Sequence, residues 1–157
     1  MVFLGVISAS IVPMAYSLDV LDRVPASSPR LENIAGNQVS QNVIVNQLVQ
    51  VTADVTNKQD ISQNFVYIVQ IKDEFGIIRY LAWITGSLEP GQSFSAARSW
   101  TPDTSGKFVA EVFVWESFSN PEPLSDSKSL SMTVSWNENF GNTKSVENYW
   151  MRELIDF

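Results

Sequence analysis

Residues 100–115, WTPDTSGKFVAEVFVW, decide the fold. From Phe108 onward, Phe108, Ala110, Val112 and Val114 fall on one side, and Val109, Glu111, Phe113 and Trp115 on the other. A period of two is the mark of a strand. Here both sides are apolar over part of the length, broken on the second side only by Glu111. Thr104-Ser105-Gly106 supplies a tight turn just before the strand begins. Trp100, at the end of an alternating FSAARSW, is expected to be a buried anchor.

The same period recurs outward in both directions. Val49, Val51, Ala53 and Val55 alternate with Gln50, Thr52, Asp54 and Thr56, giving one dry face and one wet one. Leu130, Met132 and Val134 alternate with Ser and Thr in the same way. Residues 65–71, FVYIVQI, are apolar on both faces, and residues 77–84, IIRYLAWI, follow them after the turn Asp73-Glu74-Phe75-Gly76. Pro90-Gly91 fits a type II turn, in which glycine takes the positive φ. With short strands around Leu31 and Val43, about seven strands over roughly 105 residues predict an all-β, antiparallel sandwich of immunoglobulin type. No stretch within residues 31–135 carries a convincing 3.6 period.

The run W-T-P-D-T-S-G-K-F at residues 100–108, followed by V-A-E-V-F-V, resembles the W-x-P…G-x-Y-x-V-x-V signature of immunoglobulin-like domains of the CARDB and fibronectin III type in secreted archaeal and bacterial proteins. The segments QNFVYIVQIKDEFG, PGQSF and EVFVWES also resemble small exported proteins of ammonia-oxidising archaea. The resemblance covers about two thirds of the chain and implies a fold rather than an activity. Phe108 stands where such domains often carry a corner tyrosine, so the hydroxyl that would bond back to the backbone is missing and that corner is expected to be weaker.

Composition narrows the chemistry. The chain has 157 residues, no Cys and no His, which removes disulfides, ordinary zinc sites and every nucleophile that depends on a Ser-His or Cys-His pair. A net charge of −7, from 10 Lys+Arg against 17 Asp+Glu, opposes nucleic-acid binding, which rests on cations displacing counterions. Carboxylates are the remaining candidates for acid–base work. Asp54, Asp60, Asp73, Glu74, Asp103 and Glu111 fall on loops or wet strand faces, with no convergent pair. Asp60 or Asp73-Glu74 could offer oxygens to Ca²⁺, yet no spacing approaches a D-x-D-x-D-G loop. No catalytic residue, cofactor or metal is therefore expected.

The ends of the chain point to location and contact. Residues 1–17, MVFLGVISASIVPMAYS, are uncharged and apolar up to Pro13, with Ala15 and Ser17 at the small positions of a cleavage site. They read as a signal peptide lacking its basic start, or as an uncleaved anchor. Ser, Thr, Asn and Gln make up about 29% of the chain and charged residues 17%, the hydroxyl- and amide-rich surface common in secreted β proteins. Residues 18–30 read as a Pro/Ser linker, residues 31–135 as the sandwich, and residues 136–157 as an extension. In that extension Ser145 can cap a helix on which Val146, Tyr149, Trp150, Leu154 and Phe157 share one face.

Facing Phe65, Tyr67, Val69 and Ile71 inward leaves Val66 and Ile68 outside, beside Phe113 and Trp115 of a neighbouring strand. These four are expected to form one apolar patch, the signature of a contact surface. Two occupants remain open: the chain's own tail, through Tyr149, Trp150 and Leu154, or a protein partner. The expected function is an exported, non-enzymatic module making protein–protein contacts at the cell surface. The alternative is an accessory subunit of a membrane-bound enzyme complex, held by its N-terminal segment. Mass spectrometry of the native protein should find a mature N-terminus at or near Leu18. Recovery of intact Met1 in a cytoplasmic fraction would contradict export.

Overall fold

The computed structural model describes residues 18–137. A single 3-10 turn, Val20–Asp22, precedes eight strands: β1 (Arg30–Glu32), β2 (Asn42–Ile44), β3 (Val49–Thr56), β4 (Gln63–Asp73), β5 (Ile78–Leu88), β6 (Ser93–Trp100), β7 (Gly106–Trp115) and β8 (Lys128–Ser135). They form two sheets, a three-stranded one ordered β1-β3-β6 and a five-stranded one ordered β2-β8-β7-β4-β5. The helix expected around Ser145, with Tyr149, Trp150 and Leu154, lies outside the described residues.

The alternation read from the sequence assigns the faces correctly. Val49, Val51, Ala53 and Val55 of β3 are fully buried and meet the inward residues of the other sheet: Phe65, Tyr67, Val69 and Ile71 of β4, and Phe108, Ala110, Val112 and Val114 of β7. Tyr67 is buried at the centre, with its hydroxyl 3.5 Å from the Val51 carbonyl oxygen across the core. Burial pushes its phenol above the ordinary range. Trp100 is 6% exposed and packs edge-on against Phe108 with ring centroids 5.3 Å apart. The missing corner hydroxyl at Phe108 is thus answered by an aromatic contact within the core.

Two expectations need correction. The sandwich is not wholly antiparallel: β2 runs parallel to β8, with Val43 opposite Val134. The chain reaches β2 from one side and leaves for the opposite sheet through a turn in which Asn46 adopts φ 67°, a conformation that asparagine tolerates. Residues 18–30 are also more than a linker. Val24 and Ala26 belong to the core cluster, the Val24 amide donates to the Leu124 carbonyl, and Ala26 bridges to Val55. The Pro and Ser residues there mark an irregular edge segment rather than a free one.

One end of the sandwich is tied by Asn57, which is fully buried. Its Nδ2 donates to the Ile61 and Leu88 carbonyls at 2.7 and 3.0 Å, and its Oδ1 accepts from the Gln59 amide at 3.0 Å. Its backbone bonds to Gln92 and Gly91, across the turn where Pro90 and Gly91 (φ 72°) reverse the chain between β5 and β6. A second close approach is at Gly86, where a Cβ would stand 2.9 Å from the Phe65 ring, so only glycine lets β5 cross that ring. Asn57→Ala would strip four side-chain hydrogen bonds, to the Ile61, Leu88 and Glu89 carbonyls and from the Gln59 amide, and should cost about 2–4 kcal/mol in urea unfolding. A midpoint close to wild type would show that these loops do not need the knot.

Candidate functional site: an apolar groove on the five-stranded sheet

The outer faces of the two sheets are built from opposite materials. On the three-stranded sheet, Arg30 forks onto Asp54 with contacts of 2.8 and 3.3 Å and reaches Glu32 at 2.6 Å. Ser95 donates to Asp54, and Thr52 donates to Glu32. The Arg30 hydrogen bond, with help from Ser95, holds the Asp54 carboxyl below its ordinary value. This face is a satisfied polar network.

The outer face of the five-stranded sheet is apolar at one end. Register sets its rows: Trp83, Ile68 and Phe113 stand side by side, with Thr85, Val66 and Trp115 in the next row and Leu81, Gln70 and Glu111 in the row beyond. Phe118, from the loop after β7, meets Trp83 edge-on at 5.4 Å with the rings near perpendicular. Phe113 and Trp115 lie 6.4 Å apart, centroid to centroid. Together with Ile68, Gln70 and Leu81 these side chains line a groove of about 480 Å³.

Gln70 is the one polar side chain among them, and it is committed, donating to Glu111 at 2.9 Å. Glu111 also takes Lys72 at 2.7 Å, and that bond keeps its carboxyl below the ordinary range. The polar row thereby borders the groove without opening into it. Beyond it, β8 presents exposed Ser129, Ser131 and Thr133.

Of the residues expected to form the patch, the fold brings Val66, Ile68, Phe113 and Trp115 onto one contiguous face. Their exposure differs from the expectation. Val66 and Ile68 are only 2% and 6% exposed, because they sit on the interior strand β4, Ile68 between Trp83 and Phe113 and Val66 between Thr85 and Trp115. They are the floor. Leu81, Trp83 and Phe118, each about half exposed, make the accessible walls, and none of the three was singled out from the sequence. The alternation of Leu81 and Trp83 in IIRYLAWI held a signal for two of them, given the hairpin register. Phe118 lies on an irregular loop and left none. Tyr149, Trp150 and Leu154 fall outside the described residues.

Among the described residues no group of three or more acidic side chains could hold a metal ion. Asp73 is occupied with its own hairpin, accepting from the amides of Phe75 and Ile77 and from Arg79 at 2.8 Å. A second hollow, near Tyr80 and Trp100, is lined by core aromatics and by Arg79, Asp103 and threonines. Among the described residues no helix is long and apolar enough to cross a membrane.

No protein-family model matches the chain, and no curated protein sequence matches it. Solved structures do share its fold. The C-terminal domain of wzt superposes with a TM-score of 0.63 at 16% identity, covering 73% of this chain and 75% of that one. The CARDB domain of a Pyrococcus furiosus protein, solved in complex with di-metal ions, gives 0.54 at 17% identity, over 77% of this chain and 100% of that one. A cycloisomaltooligosaccharide glucanotransferase of Paenibacillus sp. gives 0.57 at 16% identity over 72% of this chain, which spans only 14% of the enzyme. At these identities the likeness establishes the fold alone: an immunoglobulin-like β-sandwich.

Proposed function

We propose that this protein is an exported, non-enzymatic binding module that docks a protein partner through the groove on its five-stranded sheet. The observation that carries the reading is chemical. The walls are Leu81, Trp83 and Phe118, the floor is Ile68, Phe113 and Trp115, and the one polar lining side chain is already bonded within the fold. A charged metabolite requires charged or strongly polar partners in the lining, whereas a protein segment presenting aliphatic or aromatic side chains requires apolar walls. Export is supported by the uncharged apolar start of the chain and by its wealth of hydroxyl and amide side chains.

Magnitude sets the groove's part in such a contact. Covering the three walls removes on the order of 300 Å² of apolar surface here and as much again on the partner, worth about 15 kcal/mol before costs. Loss of translational and rotational freedom consumes an amount of the same order. The groove therefore serves as the anchor of a wider interface, with the hydroxyl-rich strip on β8 as its polar rim.

A photo-crosslinking residue in place of Leu81 tests this in the native cell, with one in place of Ser131, on the polar part of the same face, as the control. The expected result is a discrete adduct with one protein other than a second copy of this chain from the Leu81 position, weak or absent from the Ser131 position and lost when Trp83→Ser is added. No adduct from the groove, or the same adducts from both positions, would overturn the reading.

A further inference from the structure

The sandwich has four strands with an open side, and they are not equally protected. β1 and β2 are three residues long. β6 is eight residues long, turns Ser93, Ser95, Ala97 and Ser99 outward with Ser95 held by Asp54, and carries a charge, Arg98, on its inner face opposite Val51. β5 is eleven residues long, pairs among the described residues only with β4, and carries Ile78-Arg79-Tyr80-Leu81-Ala82-Trp83-Ile84 in its first part. Protected edges carry lysine, proline, inward charges or a covering segment. Among the described residues β5 has none of these past Arg79, whose guanidinium is drawn back onto Asp73. Leu81 and Trp83 stand about half exposed on its outer face.

We propose that β5 is an interface between two copies of this chain, whose five-stranded sheets join edge to edge through antiparallel β5 strands. The sequence of β5 is self-complementary about Ala82. With Ala82 opposite Ala82 on the two-fold axis, Leu81 faces Trp83 of the second copy on the outer face, twice. Tyr80 faces Ile84 of the second copy on the inner face, also twice. Every pair in this five-residue seam is apolar or amphipathic, and no two like charges meet. Shifting the axis to Trp83 would set Leu81 against Thr85 instead, so apolar matching selects the first register. A two-fold axis through such a seam stands perpendicular to the sheet. Both grooves then open on the same side, with Leu81 of each copy extending the wall that Trp83 begins in the other.

The inference stands apart from the docking reading, because it needs no partner protein and is read by mass alone. Sedimentation equilibrium of the mature protein should show a mass of two copies that dissociates on dilution. Leu81→Lys should weaken the association by at least about tenfold, since it removes the apolar half of both Leu81–Trp83 pairs and puts lysine on the edge. Leu81→Lys combined with Trp83→Glu puts opposite charges across the seam in both pairs and should restore the two-copy mass. Leu81→Lys combined with Trp83→Lys should remain a single copy. Far-ultraviolet circular dichroism checks that each variant keeps its strands. A wild-type mass of one copy at every concentration would overturn the proposal. So would a two-copy mass that Leu81→Lys leaves unchanged, or a failure of the opposite-charge pair to recover it.

Discussion

The ladder between β4 and β7 is the constraint on which the rest of this molecule depends. It runs from Val66 opposite Trp115 to Asp73 opposite Phe108, and both strands are apolar on both faces over much of its length. Strict alternation sends Tyr67, Val69, Ile71, Ala110, Val112 and Val114 into the core. The same alternation forces Val66, Ile68, Phe113 and Trp115 to the opposite face. A slip of one residue would exchange the two sets. The core and the groove are therefore two readings of one register.

What surrounds that ladder closes the sandwich rather than creating it. Val24 and Ala26 lay the entering chain against Leu124 and Val55 at one edge, and Arg23 meets Glu122 at 2.7 Å on the surface beside it. Asn57 gathers the loops after β3 and between β5 and β6 with hydrogen bonds made inside the protein, a network that rigidifies because each of its buried groups is satisfied. The Arg30–Asp54 pair lies at the surface, where screening leaves a modest contribution; it belongs to the polar network on the outer face of the three-stranded sheet. The contrast with the other outer face is then a property of design at the level of rows and not a scatter of exposed side chains.

The sequence disclosed the sandwich because a half-buried strand writes its two environments as a period of two. It disclosed the groove's floor for the same reason, since Ile68 and Phe113 alternate with core residues. It did not disclose which of those side chains remains accessible, because accessibility depends on neighbours in other strands: Val66 and Ile68 lie between β5 and β7 and are covered from both sides. The walls depend on hairpin register for Leu81 and Trp83, and on a loop path with no periodic signal for Phe118. The parallel β2–β8 pairing was likewise invisible, since three residues carry too short a pattern to reveal direction. Asn57 read as a turn residue, and its burial follows only from where three loops meet.

The central claim is that the inner face of the ladder holds the fold while the outer groove is free to serve contact. Chemical unfolding of three single variants tests it most directly. Ile71→Ala, on the inner face of β4, should cost about 2–5 kcal/mol, the range for truncating a fully buried aliphatic side chain. Trp83→Ser and Phe118→Ser, on the walls of the groove, should each cost clearly less, about 1–2 kcal/mol, since roughly half of each side chain already faces water. A loss at Trp83 or Phe118 equal to that at Ile71 would make the groove part of the core and contradict the account.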